Sequence, residues 1–240
     1  SDISKATAEG KAEQVIRSKP SRVKAFVKEM RLHQWAKNVL IFFPLIASHR
    51  YLDGNAVLVA LGAFFAFGFC ASGVYFWNDL LDLEADRQHI RKCTRPLASG
   101  DLPIPLGLLG ACVLPTIGLI AAWLFLPLAF TQVLLFYVVV TTAYSFFLKS
   151  KSTIDVMTLA LLYTLRVVAG SVAIDAPLSS WLLGFSIFLF VSLAYLKRYV
   201  EVATLDVADG PAKGRGYSSG DSASMFMLGL PGGAYLYQGE

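Results

Sequence analysis

The sequence predicts an all-α membrane protein, a polytopic helical bundle of six spans with a partial seventh, and three observations carry that expectation. Of 240 residues, 55% are hydrophobic and 16% charged, and the mean hydropathy is +0.57. Soluble domains of this length rarely reach that balance. No charged residue occurs from Leu102 to Leu148, a run long enough to cross about 30 Å of hydrocarbon twice once Leu126-Pro127 divides it. Lys and Arg also fall in alternate connections, as they do on the cytosolic side of multi-pass proteins.

In chain order, residues 1–30 are polar and basic (Lys11, Arg17, Lys19, Arg22, Lys24, Lys28). They read as a cytosolic lead-in lying along the membrane surface, with no chemistry assigned to it. Residues 31–240 form the transmembrane domain. Apolar runs predict spans near 32–48, 55–77, 103–123, 128–148, 154–173 and 178–197, with a weak seventh from about Ser222. Cations cluster in the lead-in, in the 79–101 loop (Arg87, Arg91, Lys92, Arg95), at Lys149–Lys151 and over 197–216, whereas the intervening connections carry only Arg50. The amino terminus and both long polar loops are therefore expected in the cytosol, in a bacterial-type inner membrane. No cationic start with a short apolar stretch and cleavage site is visible, and the chain opens on Ser, so its start is expected to lie within a longer precursor. Cys70, Cys93 and Cys112 have no paired spacing, which points to neither disulfides nor a zinc site.

The chemistry concentrates in Asn78-Asp79-Leu80-Leu81-Asp82-Leu83-Glu84-Ala85-Asp86 at the inner end of the second span. If the helix continues, about 3.6 residues per turn places Asn78, Asp79, Asp82 and Asp86 in one arc of about a third of the circumference, with Glu84 elsewhere. Carboxylates so close repel one another, and their geometry suits a hard divalent cation that also binds phosphate oxygens, such as Mg²⁺. The plainer alternative is a solvated acidic helix end. Four cations follow, Arg87, Arg91, Lys92 and Arg95, before Pro96 and Gly100. Such a loop can clamp phosphate, although cytosolic topology alone also supplies cations there.

The string Asn78-Asp79-x-x-Asp82-x-x-x-Asp86-Arg87, followed by Arg95-Pro96-Leu97-Ala98-Ser99-Gly100, closely resembles the first signature of the UbiA superfamily of intramembrane prenyltransferases. Arg31-Leu32-His33-Gln34-Trp35-Ala36-Lys37-Asn38, Tyr144-Ser145-x-x-Leu148-Lys149 and Leu165-Arg166-Val167-x-Ala169-Gly170 are similar to further signatures, so the resemblance covers most of residues 31–222. It implies an all-helical bundle whose central cavity opens to the membrane, with Mg²⁺ binding a diphosphate between two Asp-rich loops. It also implies nine helices, of which this chain supplies six and part of a seventh. The domain is thus expected to be truncated at its C-terminal end and to need further residues or a partner to complete the cavity wall.

The chain departs from the family where a second Asp-x-x-x-Asp motif usually stands. It has Lys197-Arg198-Tyr199-Val200-Glu201, with Asp206 and Asp209 at a different spacing. That pattern resembles the decaprenyl-phosphate phosphoribosyltransferase branch, which moves phosphoribose from phosphoribosyl diphosphate to a polyprenyl phosphate. Both chemistries expel pyrophosphate from a carbon that develops delocalised positive charge, so stabilising the leaving group serves either. Cations at 197 and 198 suit a phosphate-rich substrate pair.

Arg166 stands within an apolar span, which is costly unless it faces a cavity or an anion. A structural pair with Asp155 is the other reading, but eleven residues is about three turns along one helix, so direct pairing is disfavoured. Lys37 at a span end is equally explained by snorkelling. Tyr144 and Tyr163 can line a cation-bearing cavity or simply pack. His33, His49 and His89 lie on separate segments, which disfavours a histidine metal site.

The resulting candidate set is Asp79, Asp82 and Arg166 for catalysis, and Asn78, Asp79, Asp82 and Asp86 for Mg²⁺. Lys37, Asn38, Asn78, Arg87, Arg95, Tyr144, Lys149, Lys197, Arg198 and Glu201 are the candidates for substrate. The expected partners are a lipid-chain substrate drawn from the bilayer and a diphosphate-bearing substrate, with no nucleic acid. The competing readings are prenyl transfer to an aromatic acceptor, a transporter, and an inactive structural fragment.

The orientation is open to direct measurement. With the native cysteines replaced, Gly100→Cys is expected to resist an impermeant thiol reagent applied to intact cells, and Asn55→Cys to react. Labelling at position 100 from outside would reverse the topology.

Overall fold

The computed structural model describes residues 20–146 and 152–203. Its elements are α1 (Arg22–Glu29), a 3-10 segment (Leu32–Phe42), α2 (Phe43–Ala47), α3 (Gly54–Leu81), α4 (Leu83–Gln88), α5 (Ile104–Phe125), α6 (Leu128–Phe146), α7 (Ser152–Ala173) and α8 (Ser180–Ala203), with short 3-10 turns at Arg50–Leu52 and Lys92–Thr94. Among the described residues, α3 and α5–α8 are long and apolar enough to cross a membrane. They run alternately up and down, so the end of α3, the start of α5, the end of α6, the start of α7 and the end of α8 share one face. That face carries the Asn78–Asp86 motif and is called the motif end below. The expected partial seventh span lies outside the described residues.

Two expectations change. The span expected at 32–48 is a composite, eleven residues of 3-10 helix followed by a five-residue α-helix. At about 2.0 Å and 1.5 Å rise per residue it still extends about 30 Å. Pro44 falls in the first turn of α2, where its missing N–H costs least. The second difference is in the lead-in. Residues 22–29 form a helix that buries Ala25 and Glu29 and sets the Phe26 ring 5.0 Å from that of Phe76. Ala25, Phe26, Glu29 and Met30 recur at helical spacing, but two turns are too short to read as an apolar stripe.

Small residues let the backbones approach, as in other membrane bundles. A Cβ placed on Gly170 of α7 would lie 2.1 Å from the Ile41 carbonyl oxygen of the 3-10 segment, so no side chain fits between the two backbones. Polar ties add register. The Trp35 indole N–H donates to Ser72 Oγ (3.0 Å), and the Ser72 hydroxyl donates to the Met30 carbonyl (2.8 Å). At the opposite end Asp53 caps α3, accepting from Asn55 N and Ala56 N at 3.0 and 3.2 Å. Its pairing with Arg50 holds the carboxyl below its usual range. Arg50 also donates to the Ile174 carbonyl beyond α7. The loop after α4 folds inward. Gly100 adopts φ +78°, a conformation that favours glycine, and Leu97 beside it is buried against α1, α3 and α5.

The close approach at Gly170 makes a prediction. Gly170→Ala forces two backbones apart and is expected to destabilise by about 1–3 kcal/mol, read as a lowered Tm in detergent. Gly184→Ala, where nothing lies within 4 Å of the added Cβ, is expected to be neutral or slightly stabilising.

Candidate active site

At the motif end a cavity of about 280 Å³ opens between the 3-10 segment, α3, α6, α7 and α8. Among the candidates, Lys37, Asn78, Tyr144, Arg166 and Lys197 line it, together with Tyr75, Tyr137, Tyr163 and apolar walls from Leu40, Val74 and Phe190. No carboxylate is among its described lining residues. Every formal charge among the described lining residues is therefore positive.

Arg166 is held by three elements. Its Nε donates to Asn38 Oδ1 (3.0 Å), Nη1 to the Leu162 carbonyl, and Nη2 to the Tyr137 hydroxyl (3.0 Å). The guanidinium also lies 5.0–5.6 Å from the ring centroids of Phe67, Tyr137 and Tyr163, where ring faces attract a cation. Asn38 is thus a support for Arg166 rather than part of the cavity lining, and its buried Nδ2 has no hydrogen-bond partner. Asp155 does not pair with Arg166, as the helical spacing required.

The acidic motif lies at the same end of the bundle, and of its members Asn78 lines the cavity. Helix α3 ends at Leu81 and α4 begins at Leu83, so the expected continuous helix is interrupted at Asp82. The Asp86 N–H still donates to the Asp82 carbonyl (2.8 Å), which keeps the motif close to a single helical course. Asn78 faces the cavity, Asp79 and Asp86 are buried, and Asp82 is half-buried. Arg31 pairs with Asp79. Arg95 bridges Asp79 (3.0 Å) and Asp86, and Lys92 lies 3.7 Å from Asp86. Arg87 is exposed on α4.

The donor chemistry of this motif fits Mg²⁺. The amide and carboxylate oxygens are hard ligands, and the buried pair already draws three cationic side chains. Among the described residues, however, no three His, Cys, Asp or Glu side chains gather around one point. Arg31 or Arg95 must release a carboxylate for such an ion to be held.

Lys197 and Arg198, adjacent in sequence, part company. Lys197 lines the cavity, whereas Arg198 is 1% exposed and engages Asp155, Nη2 reaching Oδ1 at 2.8 Å and Nε reaching Oδ2. The backbone of Glu201 belongs to α8. Lys149, Asp206 and Asp209 lie outside the described residues.

Sequence reasoning missed Glu29, Arg31, Tyr137 and Asp155 as site residues. Glu29 is 1% exposed and lies beside the Asp79 carboxylate. Burial, then the neighbouring Asp79 carboxylate, pushes its pKa from the ordinary 4.5 up to about 8.

The described residues form an all-helical bundle whose long helices can cross a membrane, around a cavity lined by Lys37, Arg166 and Lys197. The chain belongs to the UbiA prenyltransferase family, whose pattern matches residues 39–216. It is 42% identical over 200 residues to an uncharacterized protein, y4nM, of Sinorhizobium fredii, covering 83% of this chain and 39% of that protein. It is 35% identical over 196 residues to a decaprenyl-phosphate phosphoribosyltransferase of Mycobacterium tuberculosis, covering 80% of this chain and 65% of that enzyme. The chain therefore spans less than two thirds of either relative. A solved UbiA homolog from Archaeoglobus fulgidus, bound to DMAPP and Mg²⁺, superposes with TM-score 0.62 at 17% identity, covering 74% of this chain and 64% of that one. It shares the fold.

Glu29 carries a pH prediction. With its pKa raised to about 8, the folded state retains a proton that the unfolded state has lost above the usual carboxylate range. This contribution is full below about pH 4.5 and is lost as pH rises through about 8. Glu29→Gln is expected to remove that slope, gaining on the wild type by on the order of 1–3 kcal/mol between about pH 5 and pH 8. Parallel Tm profiles across the window would contradict it.

Proposed function

We propose that the chain carries the site for Mg²⁺-dependent transfer of phosphoribose from phosphoribosyl diphosphate to a polyprenyl phosphate. One observation carries the reading: three cations, Lys37, Arg166 and Lys197, line a cavity with no carboxylate among its described residues. A prenyl diphosphate with a neutral aromatic acceptor brings one phosphorylated group to such a site. Phosphoribosyl diphosphate and a polyprenyl phosphate bring three between them. The likeness to the decaprenyl-phosphate phosphoribosyltransferase of Mycobacterium tuberculosis supports the same choice.

In this reading Asn78, Asp79, Asp82 and Asp86 hold Mg²⁺, which when bound neutralises charge on the departing diphosphate. Arg31 and Arg95 move from the carboxylates to phosphate oxygens as substrate arrives, and Arg87, exposed on α4, adds positive charge beside the motif. Lys37 from the 3-10 segment and Lys197 from α8 bind phosphate, and Tyr144 contributes its ring to the wall beside them. Arg166 is held too firmly to swing, so it acts as a fixed positive charge beneath the reacting groups. An acceptor phosphate oxygen forms the new bond to the anomeric carbon as the carbon–oxygen bond to diphosphate breaks. The bonding pair leaves with pyrophosphate, and no proton is consumed. The apolar wall of Leu40, Val74 and Phe190 receives the first part of the lipid chain.

A side-by-side assay in membranes tests this, offering phosphoribosyl diphosphate with polyprenyl phosphate, or a prenyl diphosphate with an aromatic acceptor. The expected product is phosphoribosylated lipid with released pyrophosphate, lost at least a hundredfold in Asp79→Asn and Lys197→Ala. Prenylated aromatic product without phosphoribosylated lipid restores ordinary prenyl transfer.

A further inference from the structure

Lys197 and Arg198 arrive at the motif end as consecutive cations on α8, yet only one reaches the cavity. Successive residues on an α-helix are separated by about 100° around its axis, so turning one toward a neighbouring helix fixes the direction of the other. Arg198 is turned toward α7. There Asp155, 0% exposed, accepts from Arg198 Nη2 at 2.8 Å through Oδ1 and from Nε through Oδ2. The Tyr144 hydroxyl of α6 donates to the same Oδ1 at 2.6 Å, and Arg198 Nη2 lies 3.3 Å from that hydroxyl. Three helices meet at one carboxylate.

We infer that Arg198 is a positioning residue, whose pair with Asp155 sets the rotation of α8 so that Lys197 faces the cavity and holds the Tyr144 ring at its edge. The inference rests on the phosphate reading above and replaces direct substrate contact as the role of Arg198. A two-point pair between guanidinium and carboxylate fixes orientation as well as distance, which a single contact on an apolar helix does not. Neither partner is exposed, so water does not substitute for the contact. Tyr144 and Lys197 both line the cavity, which places the network directly behind two of its walls. Lys37 enters from the 3-10 segment rather than from α8.

This difference in origin supplies the test. In the full chain, Lys37 and Lys197 are modified with an amine reagent, and the rates at each are followed by mass spectrometry with and without inorganic pyrophosphate and Mg²⁺. In the wild type, pyrophosphate is expected to slow both lysines about tenfold. In Asp155→Asn and Arg198→Gln, protection at Lys197 is expected to fall below twofold while protection at Lys37 persists. General loosening of the bundle would remove both together, and that outcome overturns the inference. Asp155→Asn is isosteric and keeps one acceptor, so it reports even where Arg198→Gln does not fold. If Arg198 were itself a phosphate ligand, freeing it from Asp155 would strengthen protection at Lys197, and that result also overturns the inference. Full protection of both lysines in both variants overturns it while leaving the phosphate reading in place. Protection of neither lysine in the wild type overturns the phosphate reading and this inference with it.

Discussion

An ionised side chain among apolar helices needs its counter-charge or aligned dipoles inside the bundle, because no water reaches it there. At the motif end this requirement governs nearly every polar contact. Arg166 has Asn38, Tyr137 and the Leu162 carbonyl, Arg198 has Asp155, and Asp79 has Arg31 and Arg95. Most of these ties join segments distant in the chain: 128 residues separate Arg166 from Asn38, 43 separate Arg198 from Asp155, and 48 separate Arg31 from Asp79. Helices α3, α5 and α6 are apolar on all sides, so burying hydrophobic surface selects weakly among their rotations. The polar ties and the close approach at Gly170 add the missing specificity.

The long helices were legible because an uninterrupted apolar run is a signal of length and composition that packing cannot disguise. The boundary at Leu126-Pro127 was legible for a local reason, since proline has no N–H to continue the preceding helix. The 3-10 character of Leu32–Phe42 was not, because apolar residues spaced three or four apart serve either helix over a short segment. The same shortness hid the buried face of α1, and with it Glu29. The acidic motif could be found from spacing alone, but the arginines that occupy it could not, since Arg31, itself left-handed at φ 52°, reaches Asp79 from 48 residues away in the chain. Lys197 and Arg198 look equivalent on the page. What separates them is Asp155, whose importance appears only when α7 and α8 are packed together.

The distribution of charge gives the site a direction. The carboxylates of the motif already draw cations, while Lys37, Arg166 and Lys197 line the cavity with no carboxylate facing them among the described lining residues. Three like charges around one small cavity repel, and the apolar walls strengthen that repulsion by lowering the local dielectric. A bundle selected only for stability would pair them or replace them with apolar residues, as it pairs Arg198. Conflict of this kind between local stability and composition is characteristic of sites that bind a ligand.

An anion entering the cavity reverses the sign of that energy, so the term that opposes folding of the free protein becomes a term that favours binding. Arg166 contributes differently from the two lysines. Its hydrogen bonds and aromatic neighbours prevent it from following the ligand, and a fixed charge needs no reorganisation as negative charge moves onto a leaving group. The lysines, on flexible stems, can follow phosphate oxygens as the substrates dock. A rigid guanidinium beneath mobile ammonium groups therefore divides the work. In the proposed reaction the lysines capture phosphate and the arginine provides a constant field, while in the inferred arrangement the buried pair behind α8 keeps one of those lysines turned toward the substrate.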